Sequence, residues 1–187
     1  MIKRIISKLY FSIRFIAISS KSNNKNIEGG YKGFIPVVIR GKGRISFGEK
    51  VNIGVINAPL FYNSYAYLEP RNKDAIITFG NNVNINNAFS VVSEKSITIG
   101  DDVLIGYNCN ISDSNFHDLS VNKRKNTDPN PQEVIISKNV FIGNNVTILK
   151  GVILGENVVV AANSVVTKTF PKNSVIGGNP AIVIRSI

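Results

Sequence analysis

In 187 residues this chain has no tryptophan, one cysteine, one methionine and one histidine. A lone cysteine, Cys109, excludes an intramolecular disulfide framework and fits a reducing, cytoplasmic setting. One histidine and one cysteine cannot assemble an ordinary zinc site, so no metal is expected. Acidic side chains are scarce: 12 against 22 lysines and arginines, for a net charge of +10. That balance admits nucleic acid, an anionic membrane or an anionic small ligand as partner, and no nucleic-acid motif supports the first. Nowhere do the roughly 20 consecutive apolar residues of a membrane span occur, and no small-residue cleavage site follows the N-terminal stretch.

Hydrophobic content, 43%, is ample for a core, and from residue 134 to 170 it is strictly periodic. One apolar series runs Ile136, Ile142, Ile148, Leu154, Val160, Val166; the other runs Val140, Val146, Val152, Val158, Ser164, Phe170. A period of six fits no helix. It fits a short strand plus a turn that returns the same positions inward, and Gly143, Asn144, Asn145, Gly151, Gly155 and Asn163 supply the turns. The pattern predicts a hexapeptide-repeat parallel β-solenoid, an all-β fold. Cys109 falls on an inward position, which predicts a buried, inert thiol.

Residues 1–20 read as an amphipathic basic helix, with Ile2, Ile5, Ile6, Leu9, Ile13 and Ile16 near one stripe and Lys3, Arg4, Lys8 and Arg14 mostly elsewhere. Two readings stand: a helix packed on the domain, or one lying at the inner membrane surface. Residues 21–33 read as a polar linker. The repeat domain is expected over 34–176, with an end segment at 177–187. Two stretches break the period. The first, 57–75, carries Phe61, Tyr62, Tyr65 and Tyr67, suited to a sugar ring or to a subunit contact. The second, 113–133, is a structureless excursion, of a length that usually signals function. It holds His117, the side chain suited to taking a proton from a hydroxyl or an amine, with Asp113, Asp118 and Asp128 near in sequence to fix its tautomer.

With the DSNFHD loop, the block VFIGNNVTILKGVILGENVVVAANSVVTK and the ending IGGNPAIVIR in that order, residues 45–187 resemble the hexapeptide-repeat acyltransferases of the left-handed β-helix class. The branch resembled holds maltose, galactoside, streptogramin and surface-polysaccharide acetyltransferases. The resemblance implies a left-handed coil and transfer of acetyl from acetyl-CoA to a hydroxyl of a sugar or surface-polysaccharide precursor. His117 would be the general base, Asp128 would orient it, and Asn86 and Glu94 would bind the acceptor. The donor side would comprise Phe141 as apolar wall, Ala161 and Ala162 with accessible backbone, then Thr167, Lys168, Asn179 and Arg185. Phe141 replaces a tryptophan common in relatives. The resemblance also implies a homotrimer with sites between subunits. Sugar N-acetyl transfer, antibiotic acetyl transfer and a non-catalytic scaffold are the alternatives.

Overall fold

The computed structural model describes residues 2–187, and the side chains of residues 2–5, 7 and 8, which include the expected stripe and charge positions Ile2, Ile5, Lys3, Arg4 and Lys8, lie outside the described residues. The chain winds into a three-sided prism of parallel sheets. The first sheet contains Ile27–Glu28, Arg44–Phe47, Ile76–Phe79, Ser96–Ile99, Val134–Ile136 and Ile153–Leu154. The second contains Tyr31–Gly33, Val51–Ile53, Asn84–Ile85, Leu104–Ile105, Phe141–Ile142, Val159–Val160 and Ser174–Gly178, closed by the antiparallel Ala181–Ser186. The third contains Val37–Ile39, Ala66–Pro70, Ser90–Ser93, Asn110–Ser112, Thr147–Ile148 and Val165–Val166.

Register follows the hexapeptide. Ile142 pairs with Val160, 18 residues on (160 − 142), which is three repeats per coil. The step from Ile85 to Ile105 is 20 (105 − 85), because two extra residues enter near Ser93–Ser96. Both predicted series are buried from end to end, Ile136 through Val166 and Val140 through Phe170. Each buried Val or Ile contributes on the order of 1.5–3 kcal/mol, so a continuous stack holds strands of only two or three residues together. Ser164 stays inside because its hydroxyl donates to the Ala161 carbonyl at 2.6 Å and accepts from the Gly178 amide at 3.2 Å.

The turns explain the asparagines. Asn82, Asn108, Asn139, Asn145, Asn157, Asn163 and Asn173 all have φ between 56° and 61°, the left-handed region that Asn tolerates better than most side chains. Their amides also ladder between coils: Asn108 to Asn145 and Asn145 to Asn163 at 3.0 Å, Asn139 to Asn157 at 2.8 Å. Gly41, at φ +93°, has no substitute, since a Cβ there would sit 2.1 Å from the Pro70 carbonyl oxygen.

The expected linker at 21–33 is instead the start of the solenoid. Ile27–Glu28 and Tyr31–Gly33 are paired strands of its first coil. Polarity misled because these side chains satisfy backbone: Asn24 donates to the Gly41 and Gly43 carbonyls at 3.2 and 3.0 Å, and the Ser22 hydroxyl accepts from the Ile39 amide at 3.0 Å. The helix Ile2–Ser19 lies beside Val37–Ile39. Its inner side packs Phe11 against Phe61 and Tyr62, ring centroids 5.4 Å apart in both pairs, and Arg14 donates to the Ser64 carbonyl. Phe61 therefore serves packing, while Tyr62 touches Phe11 and keeps about half of its surface open.

Cys109 is buried, its thiol 3.1 Å from the Gly143 carbonyl, and burial pushes its pKa up to about 11. A thiol reagent at neutral pH is expected to leave it unmodified in the folded protein and to modify it in denaturant, as intact-mass measurement would register.

Candidate active site

The excursion leaves the third sheet after Asn110–Ser112 and rejoins the first at Val134–Ile136. Asp113 anchors its base. This fully buried carboxylate accepts from the Ser93 hydroxyl at 2.6 Å and from the Glu94 and Lys95 amides at 2.7 and 2.9 Å. Its backbone carbonyl takes the Gln132 amide at 2.8 Å, pinning the two ends of the excursion together.

Inside that closure, Glu94 holds the loop. Ser114 Oγ donates to it at 2.5 Å and Thr127 Oγ1 at 2.6 Å, and its side chain is 4% exposed. Glu94, expected to bind the acceptor, has one hydroxyl donor on each of its oxygens within the loop. The Ser114 hydroxyl in turn accepts from the Phe116 amide at 2.8 Å. Phe116 has φ 60°, and this sharp turn puts His117 outward.

His117 Nδ1 lies 2.8 Å from the Arg124 carbonyl oxygen. A carbonyl only accepts, so in the neutral ring Nδ1 carries the proton and Nε2 keeps its lone pair. The ring is exposed, which leaves that nitrogen open to a substrate. The acceptor at Nδ1 is the Arg124 backbone carbonyl, and Asp128, expected from the resemblance to orient the ring, is engaged elsewhere in this structure. Its carboxylate accepts from the Asn115 amide at 2.8 Å, the Asn130 amide at 2.9 Å and Lys150 Nζ at 2.5 Å. Asp118 is likewise occupied locally, accepting from the Ser120 amide at 2.8 Å.

Burial pushes the Asp128 carboxyl up, but the Asn115 amide, the Lys150 ammonium and the Asn130 amide outweigh it and hold it below the usual carboxylate range. A depressed carboxylate stabilises the fold above its unfolded pKa and loses that stabilisation as pH falls through the folded value. Asp128→Asn is therefore expected to be less stable than the parent at neutral pH, with the gap in Tm closing as the medium is acidified through the carboxylate range.

A second group forms on the second sheet and at its corner with the third. Asn86 and Phe141 line one shallow depression with Val55, Asn84, Leu104 and Asn144. Phe141 is 48% exposed, an open apolar wall. Along the same corner lie Ala161, whose amide bonds the Ile176 carbonyl at 2.8 Å, and the exposed Ala162. Gly143 packs under them, where a Cβ would meet the Ala162 nitrogen at 2.7 Å. Asn86 Oδ1 accepts from the Asn87 amide at 2.7 Å, leaving its side-chain NH2 for a ligand.

Thr167 and Lys168 return to the His117 edge, two coils further along, with Lys168 Nζ 5.7 Å from the Phe170 ring centroid. Asn179 sits in the turn of the terminal hairpin, and Arg185 is exposed on its last strand. One subunit thus brings Asn86 together with Phe141, and His117 with Glu94 and Asp128. It does not bring the first group to the second. Among the described residues, no three His, Cys, Asp or Glu side chains are grouped as a metal site.

The repeat has counterparts in known proteins. Residues 133–168 match the family described as bacterial transferase hexapeptide (six repeats), and residues 96–112 match the hexapeptide repeat of succinyl-transferase. Over 158 residues, 80% of this chain and 76% of the relative, the sequence is 36% identical to WbbJ of Escherichia coli K12, named as a lipopolysaccharide biosynthesis O-acetyl transferase. The chain belongs to the hexapeptide-repeat acetyltransferases. It is also 37% identical to the galactoside O-acetyltransferase of the same organism, over 65% of this chain and 61% of that one. Among solved structures, a galactoside acetyltransferase in complex with coenzyme A is similar at a TM-score of 0.57 and 27% identity, covering 99% of this chain and 80% of that one. A hexapeptide-repeat acetyltransferase of Vibrio cholerae is similar at 0.53 and 38%, covering 59% and 62%. The fold is the left-handed parallel β-helix of this family, with an N-terminal helix.

In this acetyltransferase several residues near His117 escape sequence reasoning. Ser114 and Thr127 sit in an aperiodic stretch, and Lys150 reads as a turn lysine; only folding brings them to Glu94 and Asp128. Arg71 has no sequence signal either, yet its guanidinium carbon lies 4.4 Å from the Phe116 ring centroid.

Proposed function

We propose that this acetyl-CoA-dependent acetyltransferase acts on a hydroxyl of a sugar or surface-polysaccharide precursor, with His117 Nε2 as general base. The observation that carries the reading is the Nδ1 contact to the Arg124 carbonyl, which fixes the one tautomer able to accept a proton at the exposed nitrogen. The acceptor hydroxyl gives its proton to Nε2 as its oxygen attacks the thioester carbonyl. The C–S bond then breaks, and the leaving thiolate takes the proton from the imidazolium, so free CoA and acetyl ester leave and the ring returns neutral. Asp128 and Glu94 act on this step by holding the loop, Asn86 by hydrogen-bonding the acceptor. Phe141, Ala161, Ala162 and Thr167 would flank the acyl donor, and Lys168, Asn179 and Arg185 its phosphates. Thiol release from acetyl-CoA across a panel of free and nucleotide sugars tests this. No acceptor-dependent turnover with any hydroxyl acceptor would count against it.

The split of the site between the second-sheet face and the far corner of the third sheet supports a homotrimer. A three-fold ring joins two different surfaces of each copy, so one edge of a subunit meets the other edge of its neighbour. That packing would set the His117 loop beside a neighbour's donor residues. Sedimentation equilibrium decides it: a monomer overturns it.

The helix supports a membrane contact. With Phe11 and Arg14 turned inward, Ile6, Leu9, Ile13 and Ile16 form one outward stripe, each 59–70% exposed. Residues 1–27 hold six basic side chains and no acidic one, so two such helices repel while an anionic inner membrane surface attracts. No helix among the described residues is long and apolar enough to cross a membrane, so the contact would be peripheral. On vesicles of anionic lipid, Ile13→Glu with Ile16→Glu is expected to cut partitioning at least tenfold while leaving turnover of a soluble sugar intact; unchanged partitioning removes the membrane role.

A further inference from the structure

We propose that Arg71 is a positioning residue for acetyl transfer, holding the turn that presents His117 through its stack on Phe116. The inference rests on the reading of His117 as base.

Arg71 directly follows the third-sheet strand Ala66–Pro70, its amide bonded to the Ser93 carbonyl at 2.8 Å, so its backbone belongs to the rigid prism. Its side chain reaches across to the excursion. Nη2 and Nε donate to the two Glu69 oxygens at 3.1 and 3.4 Å, and Nη1 stands 3.8 Å from Glu94 Oε1. Glu69 is itself braced by the Tyr67 hydroxyl at 3.1 Å. The guanidinium plane is left to cover the Phe116 ring at 4.4 Å. Forked carboxylate binding and aromatic stacking together require a planar guanidinium, which lysine cannot supply.

The consequence lies in Phe116. A bulky residue at φ 60° is strained and persists only where its surroundings over-determine it. From below, the Ser114 hydroxyl takes the Phe116 amide; from above, Arg71 caps the ring. Without the cap the peptide before His117 is free to relax, and a displacement of about 1 Å at a reacting group can cost up to about 10²-fold in rate. Glu94 connects the two halves, since its Oε1 faces Arg71 and also accepts from Thr127 beyond the histidine.

A double-mutant cycle tests this in the full-length protein. Arg71→Ala is expected to lower kcat at least tenfold with KM for acetyl-CoA unchanged and oligomeric state intact. Arg71→Lys is expected to fail to restore kcat, and Phe116→Leu to reproduce the loss should Arg71→Ala not fold. In a His117→Ala background, Arg71→Ala is expected to add nothing. Parental kcat in Arg71→Ala, full rescue by lysine, or the same fold-loss with and without His117 each overturn the positioning role. Full activity of His117→Ala alone would instead overturn the base, and the positioning role with it.

Discussion

His117→Ala is expected to lower kcat for acceptor-dependent CoA release by about 10²- to 10⁴-fold, the range for loss of a general base. At about 1.4 kcal/mol per decade this is roughly 3–5.5 kcal/mol of transition-state stabilisation. The binding of acetyl-CoA should survive, because the donor-side residues Phe141, Ala161 and Ala162 lie on the second sheet and its corner with the third, away from the His117 loop. Calorimetric titration of the variant with CoA separates the two effects. Loss of turnover with unchanged CoA affinity is the signature of a base; a loss below about tenfold would make His117 a supporting side chain. His117→Gln keeps a donor for the Arg124 carbonyl but no basic nitrogen, and is expected to be as inactive as alanine.

Asp113→Ala is expected to cost about 3–5 kcal/mol in stability, the largest effect of any single change in the excursion. The carboxylate is fully buried and accepts three hydrogen bonds. Its removal leaves the Glu94 and Lys95 amides without this acceptor and the Ser93 hydroxyl with only the Ile76 carbonyl at 3.3 Å, each lost bond in this largely buried turn costing on the order of 1–3 kcal/mol, not fully additive. For a chain of this size that corresponds to a fall in Tm of roughly 10 °C. The same residue ties the start of the excursion to Gln132, so protease cleavage within 113–133 should accelerate in the variant. A Tm within about 2 °C of the parent would show that the turn at Ser93–Lys95 holds itself.

The repeat register was legible because burial imposes it. A side chain at Ile136, Ile142 or Val160 has nowhere to go but the prism axis, and a slip of one residue would expose the whole series. The position of the histidine loop was legible for the complementary reason, since a break in a strict period can only be an excursion. The first coil was not legible. At 21–33 the strands are two or three residues long, and the polar residues beside them bond backbone carbonyls rather than water.

The sequence by itself determined a parallel coil of hexapeptides, a buried thiol at Cys109, and one histidine on a loop, because those follow from spacing and from which residue types avoid water. Only the tertiary structure decided what each polar side chain does. In sequence Asp128 and Asp113 read alike, as acids near a histidine, and Glu94 reads as an acceptor ligand. In space one meets Lys150, one meets Ser114 and Thr127, and one caps the Ser93–Lys95 turn, while a backbone carbonyl orients the ring. A hydrogen bond selects its partner by distances of about 3 Å and by direction, and neither is fixed until the coils have stacked.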